Sequence, residues 1–274
     1  MVIAPGAYDC ITATLIQQAG FGAVYMTGAG TAATLGFPDF GLVTMTEMVE
    51  NAGRIARSVQ VPLIADADTG YGNVLNVYRT VQEYEARGVA AIHIEDQEMP
   101  KKCGHLEGKR ILPTGEYVAK IRAAVEARRT PEFMIIARTD ARAVLGYDKA
   151  IAQANAALEA GADMVFVEAP QSLDEIEAIP KAVNGPCMLN VHRGGKTPEF
   201  DLRWAEDIGY RLAIVPGLLL KSVIGICDQM LAQLRETHVH PAPTFDHPVL
   251  ETFRRFGADE WEARRVRFDQ APER

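Results

Sequence analysis

Short apolar runs alternate with longer amphipathic stretches through most of the chain. The runs are Val2–Ala4, Ala23–Met26, Pro62–Ala65, Ala91–Ile94, Phe133–Ala137, Met164–Val167, Cys187–Leu189 and Leu212–Val215. Each is rich in Val, Ile, Ala or Met and apolar at successive positions, which predicts strands buried on both faces. The stretches between them predict helices. Thr44-Met-Thr-Glu47 is a capping box ahead of Met48, Val49, Ala52, Ile55 and Ala56 at helical spacing. Thr114 precedes Tyr117, Val118, Ile121, Ala124 and Val125 in the same way, and Tyr147–Ala160 ends at Gly161. Gly20, Gly88, Gly161 and Gly209 each stand just before a strand, a repeated helix-glycine-strand punctuation.

Eight strands alternating with helices predict an α/β fold, a closed (β/α)₈ barrel of the TIM type, with a doubly wound open sheet as its rival. After Leu234 the pattern changes. His238–Pro248 mixes prolines with histidines and reads as a linker, and Val249–Phe268 reads as one or two helices outside the barrel. The expected organisation is a barrel over 1–237 and a linker with a C-terminal helical appendage over 238–274.

Composition narrows the class. With 274 residues, 23% charged and 48% hydrophobic, the chain is neither disordered, collagen-like nor a small disulfide-stapled fold. Its 36 acidic against 28 basic residues, and the lack of a basic cluster with interleaved aromatics, argue against a nucleic-acid partner. No apolar run reaches the ~18 residues of a membrane span, so no membrane partner is expected. No signal-peptide pattern opens the sequence. Four separate cysteines without a CxxC pair suggest a reduced, cytoplasmic protein.

Chemistry gathers where the apolar runs end: Asp66 and Asp68, Glu95 and Asp96, Arg138 and Asp140, Glu168, and Asn190. In a (β/α)₈ barrel these ends ring one mouth, where active sites lie. Asp66, Asp68, Glu95 and Asp39 would repel one another as bare neighbours, and all-oxygen ligands favour Mg²⁺ or Mn²⁺ over Zn²⁺. A single strand-end Asp is also a preferred helix N-cap. Asp66-Ala-Asp-Thr-Gly-Tyr-Gly72 adds a flexible loop open to close approach. A second concentration is Gln97–Leu106, where Cys103 stands among Lys101, Lys102 and His105. Positive neighbours are expected to lower its thiol pKa, suiting it to acid-base or nucleophilic work. Cys10, Cys187 and Cys227 lie in apolar patterns and read as small core residues.

These motifs resemble a known family. Asp66–Gly72, His93-Ile-Glu-Asp-Gln97, Lys101-Lys-Cys-Gly-His105, Ala137-Arg-Thr-Asp140 and Val167-Glu-Ala169 are similar to the isocitrate lyase and phosphoenolpyruvate mutase superfamily, from about Pro5 to Leu231. The Lys-Lys-Cys-Gly-His run points to its carbon-carbon lyase branch, nearest to 2-methylisocitrate lyases, with 2,3-dimethylmalate lyases close by. The resemblance implies Mg²⁺ bound directly by Asp66, with Asp39, Asp68 and Glu95 acting largely through water. It implies a small 2-hydroxy carboxylic acid substrate, whose carboxylate the amides of Thr27-Gly28-Ala29 hold. It places Tyr25 at the substrate hydroxyl, Arg138, Glu168 and Asn190 around the leaving half, and Cys103 as proton donor to the carbanion. It also implies that Cys103 is carried on a closing loop with Lys101, Gly104 and His105.

Each residue keeps a plainer reading: strand packing for Tyr25, a tight turn for 27–29 and for Asn190, a local ion pair for Arg138, solvated charge for Lys101 and His105. Phe166, where relatives acting on isocitrate have Trp, leaves room for a methyl group. Arg193, near a far substrate carboxylate, departs from the acidic residue usual there, and with His192 reads equally as solvated loop. The resemblance further implies a helix ahead of Val2–Ala4. It also implies a homotetramer exchanging C-terminal helices, for which Phe253, Phe256 and Trp261 suffice unless they pack on their own barrel. The rival functions are an oxaloacetate decarboxylase or phosphonate-bond enzyme on the same scaffold, which generally lack the cysteine, and a binding protein without turnover.

Overall fold

The computed structural model describes residues 1–243 and 247–269. The eight apolar runs form β1 (Val2–Ala7), β2 (Val24–Met26), β3 (Leu63–Asp66), β4 (Ala91–Glu95), β5 (Met134–Thr139), β6 (Met164–Val167), β7 (Cys187–Asn190) and β8 (Leu212–Val215). Each pairs in parallel with its sequence neighbour, and β8 closes on β1 with Leu212 opposite Val2. Closure rules out the open doubly wound sheet. Between the strands run α1 (Cys10–Gln18), α2 (Gly28–Thr34), α3 (Met45–Ser58), α4 (Val74–Ala86), α5 (Thr114–Ala127), α6 (Ala141–Leu145), α7 (Tyr147–Glu159), α8 (Leu173–Ala182) and α9 (Leu202–Asp207). The capping box of α3 forms as expected, the Thr44 amide donating to Glu47 Oε2 at 2.8 Å. The four punctuating glycines have φ between 81° and 115°, a region that stops a helix at little cost only for glycine.

Alternation along the strands separates two apolar layers. Outward residues such as Leu63, Ala65, Ile92, Ile94 and Ile135 meet the helices. Inward residues Ala4, Tyr25, Ile64, Ala91, Ile136, Phe166, Met188 and Ile214 fill the barrel. The same period of two continues to the C-terminal strand ends. Ile64 is followed on the inner face by Asp66, Ala91 by His93 and Glu95, Ile136 by Arg138, and Met188 by Asn190. Register sets Asp66 beside His93 and Glu95 beside Arg138. The top layer of the barrel interior is therefore polar by continuation of the pattern that makes the lower layers apolar.

Two compact units divide the chain, 1–221 and 222–274. The first holds the whole barrel. The second holds most of α10 (Leu218–Thr237), then α11 (Val249–Arg254) and α12 (Ala258–Asp269), and none of these three helices has a buried residue. Of the linker expected over His238–Pro248 and the appendage that follows it, residues 244–246 and 270–274 lie outside the described residues. No helix among the described residues is long and apolar enough to cross a membrane.

Candidate active site

The polar top layer surrounds a cavity of about 100 Å³. Asp66 ends β3, and its side chain accepts from the Asp68 amide at 2.9 Å and the Gly28 amide at 3.3 Å. The Asp66–Gly72 loop bends through left-handed backbone at Asp68 and Tyr71, with φ of 45° and 59°. Such strain persists where surrounding contacts over-determine it. Here Tyr84 Oη donates to the Asp66 carbonyl at 2.9 Å, Lys120 Nζ to the Thr69 carbonyl at 3.0 Å, and Thr80 Oγ1 to the Gly70 carbonyl at 3.2 Å. Thr27 is the N-cap of α2, so the turn expected at 27–29 is a helix start. A Cβ on Gly28 would lie 2.5 Å from Asp66 Oδ2, so the close approach of these two loops requires glycine.

Tyr25 Oη lies 2.8 Å from His93 Nε2 and 3.4 Å from Asp66 Oδ2. Burial, reinforced by Asp66, pushes the Tyr25 phenol well above its ordinary value, so it stays protonated. Arg138 is the cationic centre. It meets Glu95 Oε2 at 3.1 Å, Asp140 Oδ2 at 2.9 Å and Glu168 Oε2 at 3.7 Å, and lies 5.2 Å from the Phe166 ring centre. Glu168 accepts from Asn190 Nδ2 at 3.2 Å. Asp39 approaches from the loop after α2.

The Cys103 segment lies over this layer. Gln97 clips the Lys102 backbone with bonds of 2.9 and 3.0 Å. Lys101 is buried, its ammonium paired with Asp39 and, at 2.6 Å, with Asp68 Oδ1. His105 Nε2 lies 3.3 Å from Glu168 Oε1, its Nδ1 accepts from the Lys196 amide at 3.2 Å, and its ring stacks on His192 at 4.7 Å. Cys103, Gly104 and His105 all line the cavity. A Cβ on Gly104 would meet Arg138 Nη2 at 2.5 Å and Glu168 Cγ at 2.6 Å, so the segment lies this low because residue 104 has none.

Two expectations change. Cys103 was expected to be a thiolate favoured by its basic neighbours. Instead burial pushes its thiol up, because the Lys101 ammonium is turned to Asp39 and Asp68. Arg193 does not reach the cavity. Its side chain is 88% exposed and pairs with Glu199, while His192 and Lys221 stand at the cavity instead. His93 was legible as a motif residue, and its period-two spacing from Glu95 marks the inner face. Lys221, beyond the end of β8, carries no such local signal.

The repulsion expected among the acids is relieved here by two buried side chains, Lys101 and Arg138. An acidic surplus remains around them. Burial raises Glu95 well above the carboxylate range and Asp68 to about 6. Glu95, at 0% exposure, faces Arg138 off the line of a hydrogen bond, so neither of its oxygens has a donor. Among the described residues no three His, Cys, Asp or Glu side chains converge to enclose an ion by themselves. The donorless Glu95 carboxylate, with Asp66 and Asp39 on the cavity, offers the oxygen ligands a hard cation such as Mg²⁺ takes, with water completing its shell.

His93 gives a pH prediction. Burial lowers its imidazole to about 4, against about 6.5 unfolded. The unfolded chain therefore takes up the proton first. Stability present above pH 6.5 is lost as pH falls toward 4, on the order of 3 kcal/mol for this group. Urea midpoints should fall more steeply over this range for the natural chain than for His93→Asn. Parallel slopes would reject the buried neutral imidazole.

Comparison with known proteins places this geometry. The family model described as phosphoenolpyruvate phosphomutase matches residues 1–235. A 2,3-dimethylmalate lyase from Eubacterium barkeri is 52% identical over 217 residues, 79% of this chain and 75% of the relative. A 2-methylisocitrate lyase from Aeropyrum pernix is 43% identical over 236 residues, 86% of this chain and 76% of the relative. A crystal structure of 2,3-dimethylmalate lyase superposes with a TM-score of 0.93 at 37% identity, covering 100% of this chain and 94% of the other. With its barrel and most of its length matched in this way, the chain belongs to the phosphoenolpyruvate mutase/isocitrate lyase superfamily.

Proposed function

We propose that this protein is a Mg²⁺-dependent carbon-carbon lyase acting on an alkylated 2-hydroxy di- or tricarboxylic acid. 2-Methylisocitrate would yield pyruvate and succinate, and 2,3-dimethylmalate would yield pyruvate and propionate. The observation that carries the reading is a half-buried, protonated Cys103 thiol on the same cavity as Asp66, Arg138, Glu168 and Asn190. The apolar wall of Phe166, Ile214 and Leu220 suits the alkyl group of either acid.

Asp66 would hold the Mg²⁺ directly, with Asp39, Asp68 and Glu95 acting through water. The ion, when bound, supplies Lewis-acid stabilisation of negative charge on the keto-acid oxygen. The chain's own groups supply the rest. Tyr25, held as a phenol, would take the C2 hydroxyl proton by passing its own to His93 Nε2, 2.8 Å away, which leaves Asp66 to the ion. The resulting oxyanion collapses to a ketone as the C2–C3 bond breaks, leaving a carbanion beside a carboxylate. Arg138 and Asn190 donate to that carboxylate. Cys103 Sγ–H then protonates the carbanion. Lys101, Gly104 and His105 hold the segment that excludes water.

The test incubates the protein with Mg²⁺ and, separately, 2-methylisocitrate, 2,3-dimethylmalate, isocitrate and oxaloacetate, following keto acid by coupled reduction. Pyruvate from either alkylated acid, abolished by chelation and restored by Mg²⁺, is expected. No keto acid from any of the first three defeats the reading. A reduced cytoplasmic setting and a homotetramer complete the proposal. The free cysteines support the first, and the exposed Ile224, Leu231, Phe253 and Trp261 support the second, which light scattering reads directly.

A further inference from the structure

We propose that Lys109 is a positioning residue that ties the backbone at Cys103 and Gly104 to Arg138 through Asp140. Lys109 lies between β4 and α5, and its side chain is only 1% exposed. Its ammonium donates to two acceptors, the Gly104 carbonyl and Asp140 Oδ1, the latter at 2.8 Å. A buried ammonium is costly unless paired and hydrogen-bonded, so this lysine is not an inert core residue.

Asp140 joins the fixed part of the site to the segment above it. Its Oδ2 accepts from Arg138 Nε at 2.9 Å, and its Oδ1 from Arg138 Nη2 at 3.3 Å as well as from Lys109. The carboxylate is itself anchored. The Asp140 amide donates to Asp96 Oδ1 at 2.8 Å, and Asp96 Oδ2 accepts from Gln153 Nε2 at 2.8 Å and from the Thr139 hydroxyl. The chain of contacts therefore runs from the β5 end, through one carboxylate and one ammonium, to the carbonyl next to Cys103.

The geometry leaves little slack. There is no room for even a Cβ between Gly104 and the Arg138 and Glu168 side chains. The Leu106 amide donates to the Cys103 carbonyl at 2.9 Å, so the turn is closed on itself as well as latched. Were the segment to rise, Asp140 would keep Arg138, and Lys109 would lose the Gly104 carbonyl. Beside the Gln97 clip and the Lys101 pair with Asp39 and Asp68, Lys109 adds the contact nearest the thiol, one made only when the segment lies down. The kinetic consequence rests on the lyase reading above. The consequence for thiol access does not.

The experiment uses Lys109→Met in the full chain, with Lys109→Arg, which keeps charge and donors, as the rescue. Misplacing the proton donor should lower kcat on the order of 100-fold with KM within about threefold. Iodoacetamide labelling of Cys103, located by mass spectrometry, should speed up by about tenfold, and Lys109→Arg should restore both readouts most of the way. Should the Met variant not fold, as judged by circular dichroism, Lys109→Gln must show the same two changes. Unchanged labelling overturns the proposal, whether kcat falls, which would make Lys109 merely structural, or stays. If the natural chain releases no keto acid, the lyase reading fails, and labelling alone still decides the latch.

Discussion

Cys103→Ala lowers kcat by about 10²–10⁴-fold while Mg²⁺ and pyruvate bind as before, the loss expected when a positioned general acid is removed. The thiol is half-buried and its pKa is pushed up by that burial, so at neutral pH the proton is present on sulfur. No other group of the segment is both free and acidic enough to replace it. The Lys101 ammonium is held by Asp39 and Asp68, and His105 is pushed down to about 4 by burial and by Arg138, which leaves its imidazole neutral. Cys103→Ser puts a hydroxyl, a far weaker acid, in place of the thiol, and is expected to lie nearer to Ala than to the natural chain. Single-turnover kinetics separates the two steps: proton transfer slows, while substrate binding does not. Turnover unchanged in both variants would remove the thiol from the reaction.

Arg138→Met has the second large effect, and it falls on stability as well as on activity. The guanidinium is surrounded by Glu95, Asp140 and Glu168, all at 1% exposure or less. Its removal leaves three buried carboxylates facing a methionine, the kind of broken ion pair that costs about 3–5 kcal/mol. The thermal midpoint should fall by roughly 10 °C. Burial already raises Glu95 and Glu168, and Arg138 pulls both back down. Without it their folded pKa values rise further above the unfolded ones. A raised carboxyl contributes stability below its unfolded pKa and loses it as pH rises through the folded value. The gap between variant and natural chain should therefore narrow from pH 8 to pH 5, as the acids regain their protons. A gap that stays constant or widens on acidification would show that these carboxylates do not depend on Arg138.

The barrel was legible because each of its strands is buried on both faces. Met164–Val167 and Leu212–Val215 are apolar at every position and match their strands residue for residue. The acids and Arg138 were legible for a related reason, since a polar residue ending an apolar run in a closed barrel sits at the rim. The Cys103 segment was legible as a motif but not in its charge state. Sequence proximity put Lys101 and Lys102 beside the thiol, whereas folding turned Lys101 toward acids from two other loops. Arg193 and Lys221 show the same limit, because whether a cation in a loop or one in the first turn of a helix faces a cavity depends on backbone direction that periodicity does not encode.

Sequence by itself determined the order of the elements, the inward or outward face of each strand residue, and the set of polar groups at one end. These follow from burial and a period of two, which are local. Tertiary structure alone decided which charges meet: Lys101 with Asp39 and Asp68, Arg138 with Glu95 across a strand pair, and Lys109 with Asp140 and the Gly104 carbonyl. Electrostatic energies depend on separations of a few ångströms and on desolvation, and both are fixed only when distant segments close over one another.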